Sequence, residues 1–157
     1  MGRELDGRFI SPIAIEAQSG TQYSATNATT DIAETKVNIP AFPPKGLCYR
    51  VKMAGTKSGA NAAMSVILQI GATAVMTIAA DDGTAVDWVA EFVIMITSVK
   101  TQKVTGHFLA DTADPGVDYS DGTVDLSAGA AMVPQIVSAH GSDVVYCEMC
   151  TVESWQL

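Results

Sequence analysis

The feature that most constrains this chain is a period-two alternation of apolar and polar residues that sets in at Val37 and runs to Leu109. Over 47–53, Leu47, Tyr49, Val51 and Met53 fall on one side, and Cys48, Arg50 and Lys52 on the other. Over 64–70, Met64, Val66, Leu68 and Ile70 share a side. Successive side chains of a strand point to opposite faces, so this spacing predicts strands with one buried face, and helical periodicity is missing. The pairs Ser58-Gly59, Asp82-Gly83 and Asp121-Gly122 supply turn chemistry, because Gly and Asp tolerate the backbone angles of tight turns.

The segment 88–97 departs from this pattern. Trp88, Ala90, Phe92, Ile94 and Ile96 make one apolar side, but Val89, Val93 and Met95 make the other nearly as apolar. A strand apolar on both sides is expected to be covered on both sides, one by the core and the other by a neighbour. Further strand-like runs lie at 103–110, 132–138 and 143–153, separated by an acidic, Gly-bearing loop over 111–129, and 128–132 could form a single helical turn. About eight strands at the ~8–12-residue turn spacing of such folds predict an all-β, antiparallel jelly-roll sandwich rather than an up-and-down barrel.

Residues 1–35 read differently. Positions 18–30 are rich in Ser, Thr, Asn and Gly, and the apolar patch Phe9, Ile10, Ile13, Ile15 carries Pro12. That composition suits an edge strand or an extended arm, so 1–35 is expected to be an extended N-terminal arm and 36–157 the jelly-roll domain.

Hydrophobic residues make up 48% of the 157 residues and charged ones 17%, where about 25% is usual in a soluble domain. Such an excess of apolar surface predicts a face buried against another subunit. The net charge of −8, with nine scattered basic residues, disfavours nucleic acid, which needs a concentrated positive footprint. No apolar h-region follows the N-terminus, no run reaches the ~18–20 residues of a membrane span, and Asp6 breaks a myristoylation motif. A soluble product of the cytoplasm is expected, and three cysteines make no disulfide framework.

The motifs that could carry chemistry are few. Cys147-Glu148-Met149-Cys150 is a CxxC, but it lies in a strand-like run where positions three apart face opposite ways, and no second pair completes a zinc site. Buried, inert thiols are the expectation. The carboxylates of 111–122 match no EF-hand spacing and read as a solvated loop, with calcium the sharper alternative. His107 reads as a structural histidine, and Ser138 to Asp143 holds Ser, His and Asp within too short a turn for a triad. Gly-x-Ser-x-Gly, Walker A and Gly-x-Gly-x-x-Gly do not occur. Neither an enzyme nor a cofactor is expected. Trp88 reads as a core anchor, and Trp155 as either core or interface anchor.

The run Val37-Asn38-Ile39-Pro40-Ala41…Gly46-Leu47-Cys48-Tyr49-Arg50-Val51-Lys52-Met53-Ala54-Gly55-Thr56 resembles the opening of small tailed-phage virion proteins. Leu68-Gln69-Ile70-Gly71, the Trp-led strand 88–97 and Lys103-Val104-Thr105-Gly106-His107-Phe108 follow in the family's order, while Cys147 to Cys150 departs from its terminal strand. The resemblance implies a trimeric jelly roll of the tumour-necrosis-factor type acting as a capsid decoration or cement protein. It would sit on the virion's outer surface and join major capsid proteins, the alternative being a head-fibre, tail-fibre or tail-tip domain. The expected interface residues are Phe9, Ile10, Ile13, Ile15, Val89, Val93, Met95 and Trp155.

Overall fold

A computed structural model of the chain describes residues 13–59, 64–80, 86–110 and 113–157. Among the described residues twelve strands run in chain order: β1 (Ala14–Ser19), β2 (Tyr23–Thr26), β3 (Ala28–Asp31), β4 (Val37–Ile39), β5 (Leu47–Ser58), β6 (Met64–Ile70), β7 (Thr73–Ala80), β8 (Val86–Ser98), β9 (Thr101–Ala110), β10 (Ala113–Gly122), β11 (Ala130–Ser138) and β12 (Val144–Gln156). A 3-10 turn at Ala33–Thr35 is the only helical element among the described residues. The all-β antiparallel sandwich expected from the alternation is what forms, with more strands than the alternation revealed.

The larger sheet has seven strands in the order β1-β12-β5-β8-β9-β10, with β2 also on β12. The smaller has five, β3-β11-β6-β7, with β4 also on β11. Pairing is nested: β5 with β12, β6 with β11 and β8 with β9, while β7 lies against β10 across the sheets. A ribbon of strands folded back on itself produces this nesting, and it brings the two inner faces together.

Those inner faces are the residues that the alternation placed inside. Tyr49, Val51 and Met53 of β5, Met64 to Ile70 at alternate positions of β6, and Trp88, Ala90, Phe92, Ile94 and Ile96 of β8 are all buried. Trp88 stacks on Phe108 with ring centroids 6.1 Å apart, as the core-anchor reading requires.

Several local expectations are corrected. The described part of the segment read as an arm, 13–35, is woven into both sheets: β1 and β2 pair with β12, and β3 pairs with β11. Residues 1–12, with Phe9 and Ile10, lie outside the described residues. The acidic loop is largely strand β10, and Asp121-Gly122 is not a turn but pairs with Lys103 and Gln102 of β9. Of the single turn expected over 128–132, residues 130–132 instead open β11. Asp82-Gly83 falls outside the described residues.

Candidate interaction face on the seven-stranded sheet

Directly opposed residues on neighbouring strands point to the same side of a sheet. The strand registers therefore sort the outward side chains of the larger sheet into transverse rows. One row runs Trp155, Cys48, Met95, Lys103, Asp121. The next runs Ile15, Glu153, Arg50, Val93, Thr105, Tyr119. Then come Thr151, Lys52, Glu91 and His107, and after them Met149, Ala54, Val89 and Leu109.

The last of these rows is apolar throughout. Met149, Val89 and Leu109 are 54%, 46% and 44% exposed, while the other apolar side chains on their strands are buried or half-buried. A hollow of about 350 Å³, lined by Asp87, Trp88, Val89, Leu109 and Ala110, adjoins it. A second hollow, of about 390 Å³, lies at the other end of the face beside Met95 and Leu157.

Five charged members of these rows, Arg50, Lys52, Glu153, Lys103 and Asp121, are matched within the chain. Arg50 donates from Nε to Glu153 Oε2 at 2.7 Å, and Lys52 Nζ lies 3.5 Å from Glu153 Oε1. The Arg50 hydrogen bond holds the Glu153 carboxyl below its ordinary range, and the two cationic charges add to this. Lys103 Nζ donates to Asp121 Oδ1, which also accepts from the Tyr119 hydroxyl at 2.7 Å. These bonds lower the Asp121 carboxyl and raise the Lys103 ammonium. The Arg50 guanidinium sits 5.8 Å from the Trp155 ring and Lys103 Nζ 5.2 Å from the Tyr119 ring, cations over negative aromatic faces.

Of the interface residues expected from sequence, Ile15, Val89, Val93, Met95 and Trp155 come together on this face, and Ile13, exposed, immediately precedes β1 at its edge. Val93, Met95 and Trp155 are half-buried, so Trp155 is a surface-layer residue stacked by a cation rather than a core anchor. Leu109, Tyr119 and Met149 belong to the same face and were missed. Alternation over 103–110 could have found Leu109. No local signal marks Met149, because the register of β12 on β5 shifts between Cys147 and Met149.

That irregularity also corrects the CxxC reading. Cys147 and Cys150 do not face opposite ways: both are buried, and the shift keeps both in the core cluster. Burial pushes the Cys147 thiol up to about 12 and that of Cys150 to about 11. Thiols so hard to ionise are poor nucleophiles and poor metal ligands. His107 is exposed on the outer face, opposite Glu91, rather than a structural core histidine.

The turn between β11 and β12 brings Ser142 Oγ to 2.9 Å from His140 Nδ1. The Asp143 carboxylate faces Lys57 Nζ at 3.4 Å, so it does not orient His140 as a triad acid would. No group of three or more His, Cys, Asp or Glu among the described residues could hold a metal ion. Nor is any helix among them long and apolar enough to cross a membrane.

The fold and this face define an antiparallel β-sandwich with a partly apolar outer sheet. No family model matches the chain. No curated protein sequence matches it either. Among solved structures it is similar to a lectin from Bauhinia forficata in complex with GalNAc, at 9% identity and a TM-score of 0.39, over 94% of this chain and 97% of that one. It is also similar to the infectious bursal disease virus Gx strain structure, at 15% identity and TM-score 0.31, over 92% of this chain and 40% of that one. The VP2 subviral particle of the same virus gives 15% identity and TM-score 0.28, over 97% of this chain and 42% of that one. The chain thus spans about two fifths of the viral chains. All three structural overlaps are low.

Proposed function

We propose that this protein is a virion structural protein: a phage head decoration, or cement, protein that binds the outer capsid surface as a homotrimer and bridges major capsid proteins. The observation that carries the assembly role is the outward apolar layer of the seven-stranded sheet, where Ile15, Val89, Leu109, Tyr119 and Met149 are exposed together. The placement on a phage head rests on the resemblance of the run from Val37 to Thr56.

Such a protein acts by buried area alone. A standard interface of about 1,600 Å² suffices for specific attachment, and a shell repeats it many times. Exposed Ile13 and Ile15, with Phe9 and Ile10 before them in sequence, are the candidates for contact with the shell.

Light scattering of the purified chain, with and without empty capsid shells, tests the proposal. A stable trimer that co-sediments with shells supports it. A trimer that ignores shells moves the assignment to a head fibre or tail fibre. A monomer under both conditions overturns the assembly role.

A further inference from the structure

We propose that Phe42, held out by the loop between β4 and β5, is the anchor by which this chain grips its partner. The ring enters an apolar pocket on that partner, and Lys45 meets a carboxylate at the rim of the pocket. The proposal rests on the function given above, in which the partner is the capsid shell, and it names the residue that makes the contact.

Phe42 is held in a strained conformation that its own side chain does not offset. Its φ is +49°, in the left-handed region that a bulky residue rarely adopts. Pro43 follows and further narrows the choices of the residue before it. The other non-glycine residue with positive φ among the described residues is Asn27, a type that tolerates it. The turn itself has a structural reason, because it lets the Phe42 N–H donate to the Leu126 carbonyl at 3.0 Å. Glycine or asparagine would make the same turn at less cost. The Phe42 ring is 71% exposed, so it adds nothing to the core in exchange for the strain. Strain kept where the fold gains nothing points to a role outside the chain.

The loop is also shaped in advance. Gly46 N–H donates to the Ile96 carbonyl at 2.8 Å, Leu47 N–H to Pro44 at 3.2 Å, and Leu157 N–H to Gly46 at 3.0 Å. Pro43 is buried, and Gly129 packs so closely on the start of the loop that a Cβ there would lie 2.8 Å from the Ile39 carbonyl oxygen. An aromatic ring on a backbone fixed beforehand loses little freedom on docking, which suits it to anchor an interface.

The surroundings extend the contact. Ala14 lies opposite Ser154, and Leu47 opposite Gln156, so Ile13 and Ile15 lie toward the end of the sheet where this loop is tied to Leu157. Phe42, Ile13, Ile15 and Leu157 are four of the eight exposed large apolar side chains among the described residues, and they gather at this end. The hollow of about 390 Å³ between Lys45 and Met95 adjoins them. Residues 35–80 hold five of the nine basic residues and none of the seventeen acidic ones. Lys45 is exposed and makes no ion pair among the described residues, whereas Lys100 pairs with Asp125, and Glu16 accepts from the Ser154 hydroxyl. The cation beside the ring is therefore open to a carboxylate of the partner.

Phe42→Asn and Lys45→Glu are compared with the wild type in thermal melting, light scattering and co-sedimentation with empty capsid shells. Phe42→Asn is expected to melt at or above the wild-type temperature, since strain is relieved and no core contact is lost. It should keep the wild-type mass and bind shells at least tenfold more weakly. Lys45→Glu should also weaken binding, and wild-type binding should fall as salt rises. A Phe42→Asn chain that melts lower makes the ring a structural element and overturns the proposal. Shell binding that either variant leaves unchanged overturns the anchor while the decoration role stands. A Phe42→Asn chain whose oligomer dissociates places the ring between copies and overturns the partner named here. A wild-type chain that ignores shells overturns both the anchor and the decoration role.

Discussion

Lys57 and Asp143 are the most buried charges in the described structure, each side chain 1% exposed, with Nζ 3.4 Å from Oδ2. Lys57 ends the inward face of β5, opposite Val86 of β8 and Val145 of β12, and Nζ also donates to the Gly59 carbonyl at 3.0 Å. Gly59 has φ near +91°, and a Cβ there would lie 2.2 Å from Asp143 Oδ1, so the turn after β5 is shaped around the carboxylate. Lys57→Met fills the methylene track but leaves Asp143 without its counter-charge. Breaking a buried pair in this way costs about 3–5 kcal/mol, because the remaining ion keeps its desolvation penalty. Replacing both, Lys57→Met with Asp143→Leu, removes both penalties and should return to within ~1–2 kcal/mol of the wild type. For a domain of this size each kcal/mol shifts Tm by about 2–4 °C, so the single variant should melt ~6–20 °C lower. The assay is urea and thermal unfolding at one fixed protein concentration, since association would shift both. With each single variant losing ~3–5 kcal/mol and the double only ~1–2, the coupling between the two sites should be at least ~4 kcal/mol, above the ~0.5–3 usual for contacting residues. A single variant that loses under ~1 kcal/mol, or a double variant whose loss equals the sum of the singles, would refute the reasoning.

The other predictions concern the core. A Cβ at Gly106 of β9 would lie 2.3 Å from Met76 Sδ and 2.6 Å from Ile78 Cδ1 of β7, so Gly106→Ala overpacks the layer between the sheets. It should cost about 1–3 kcal/mol by urea unfolding, and an unchanged midpoint would mean that the sheets are not in this close contact. Phe92→Ala, at a fully buried position, should cost about 3–5 kcal/mol in the same assay. The three thiols should resist a thiol reagent at pH 8 in the native protein and all react in denaturant, since all are buried. Above pH 9 the unfolded chain releases thiol protons that native Cys147 and Cys150 hold up to about 12 and about 11. The native state then binds more protons, so stability should fall as pH rises through that window; a flat profile from 9 to 11 would contradict the burial of these groups.

Which parts of this fold could be read from sequence follows from what each strand buries. β5, β6 and β8 have one face in the core, so every second residue along most of each is apolar and buried, and their inward residues were legible one by one. β2 and β3 bury little beyond Ala25, and their Ser, Thr and Asp residues join the sheets through backbone pairing, which leaves no apolar period. β10 is an edge strand rich in Asp, Gly and Pro. Pairing with β9 on one side, and Lys103 on Asp121, hold it in place against its low intrinsic preference for strand.

The candidate face separates these two kinds of information more sharply. Val89, Val93 and Met95 could be placed on one side of their own strand because parity within a strand is local. Whether Met149 stands beside Ala54 and Val89 depends on the register of β12 on β5, and that register shifts by one residue at Glu148. A one-residue shift exchanges the two faces of everything beyond it. Reading Cys147 and Cys150 as opposed was therefore the same error as missing Met149: both assumed an unbroken period of two through that shift. The apolar row exists only because the irregularity in β12 is aligned with Ala54 of β5 and, through it, with Val89 and Leu109. A face assembled in this way from four strands has no signature in any one of them.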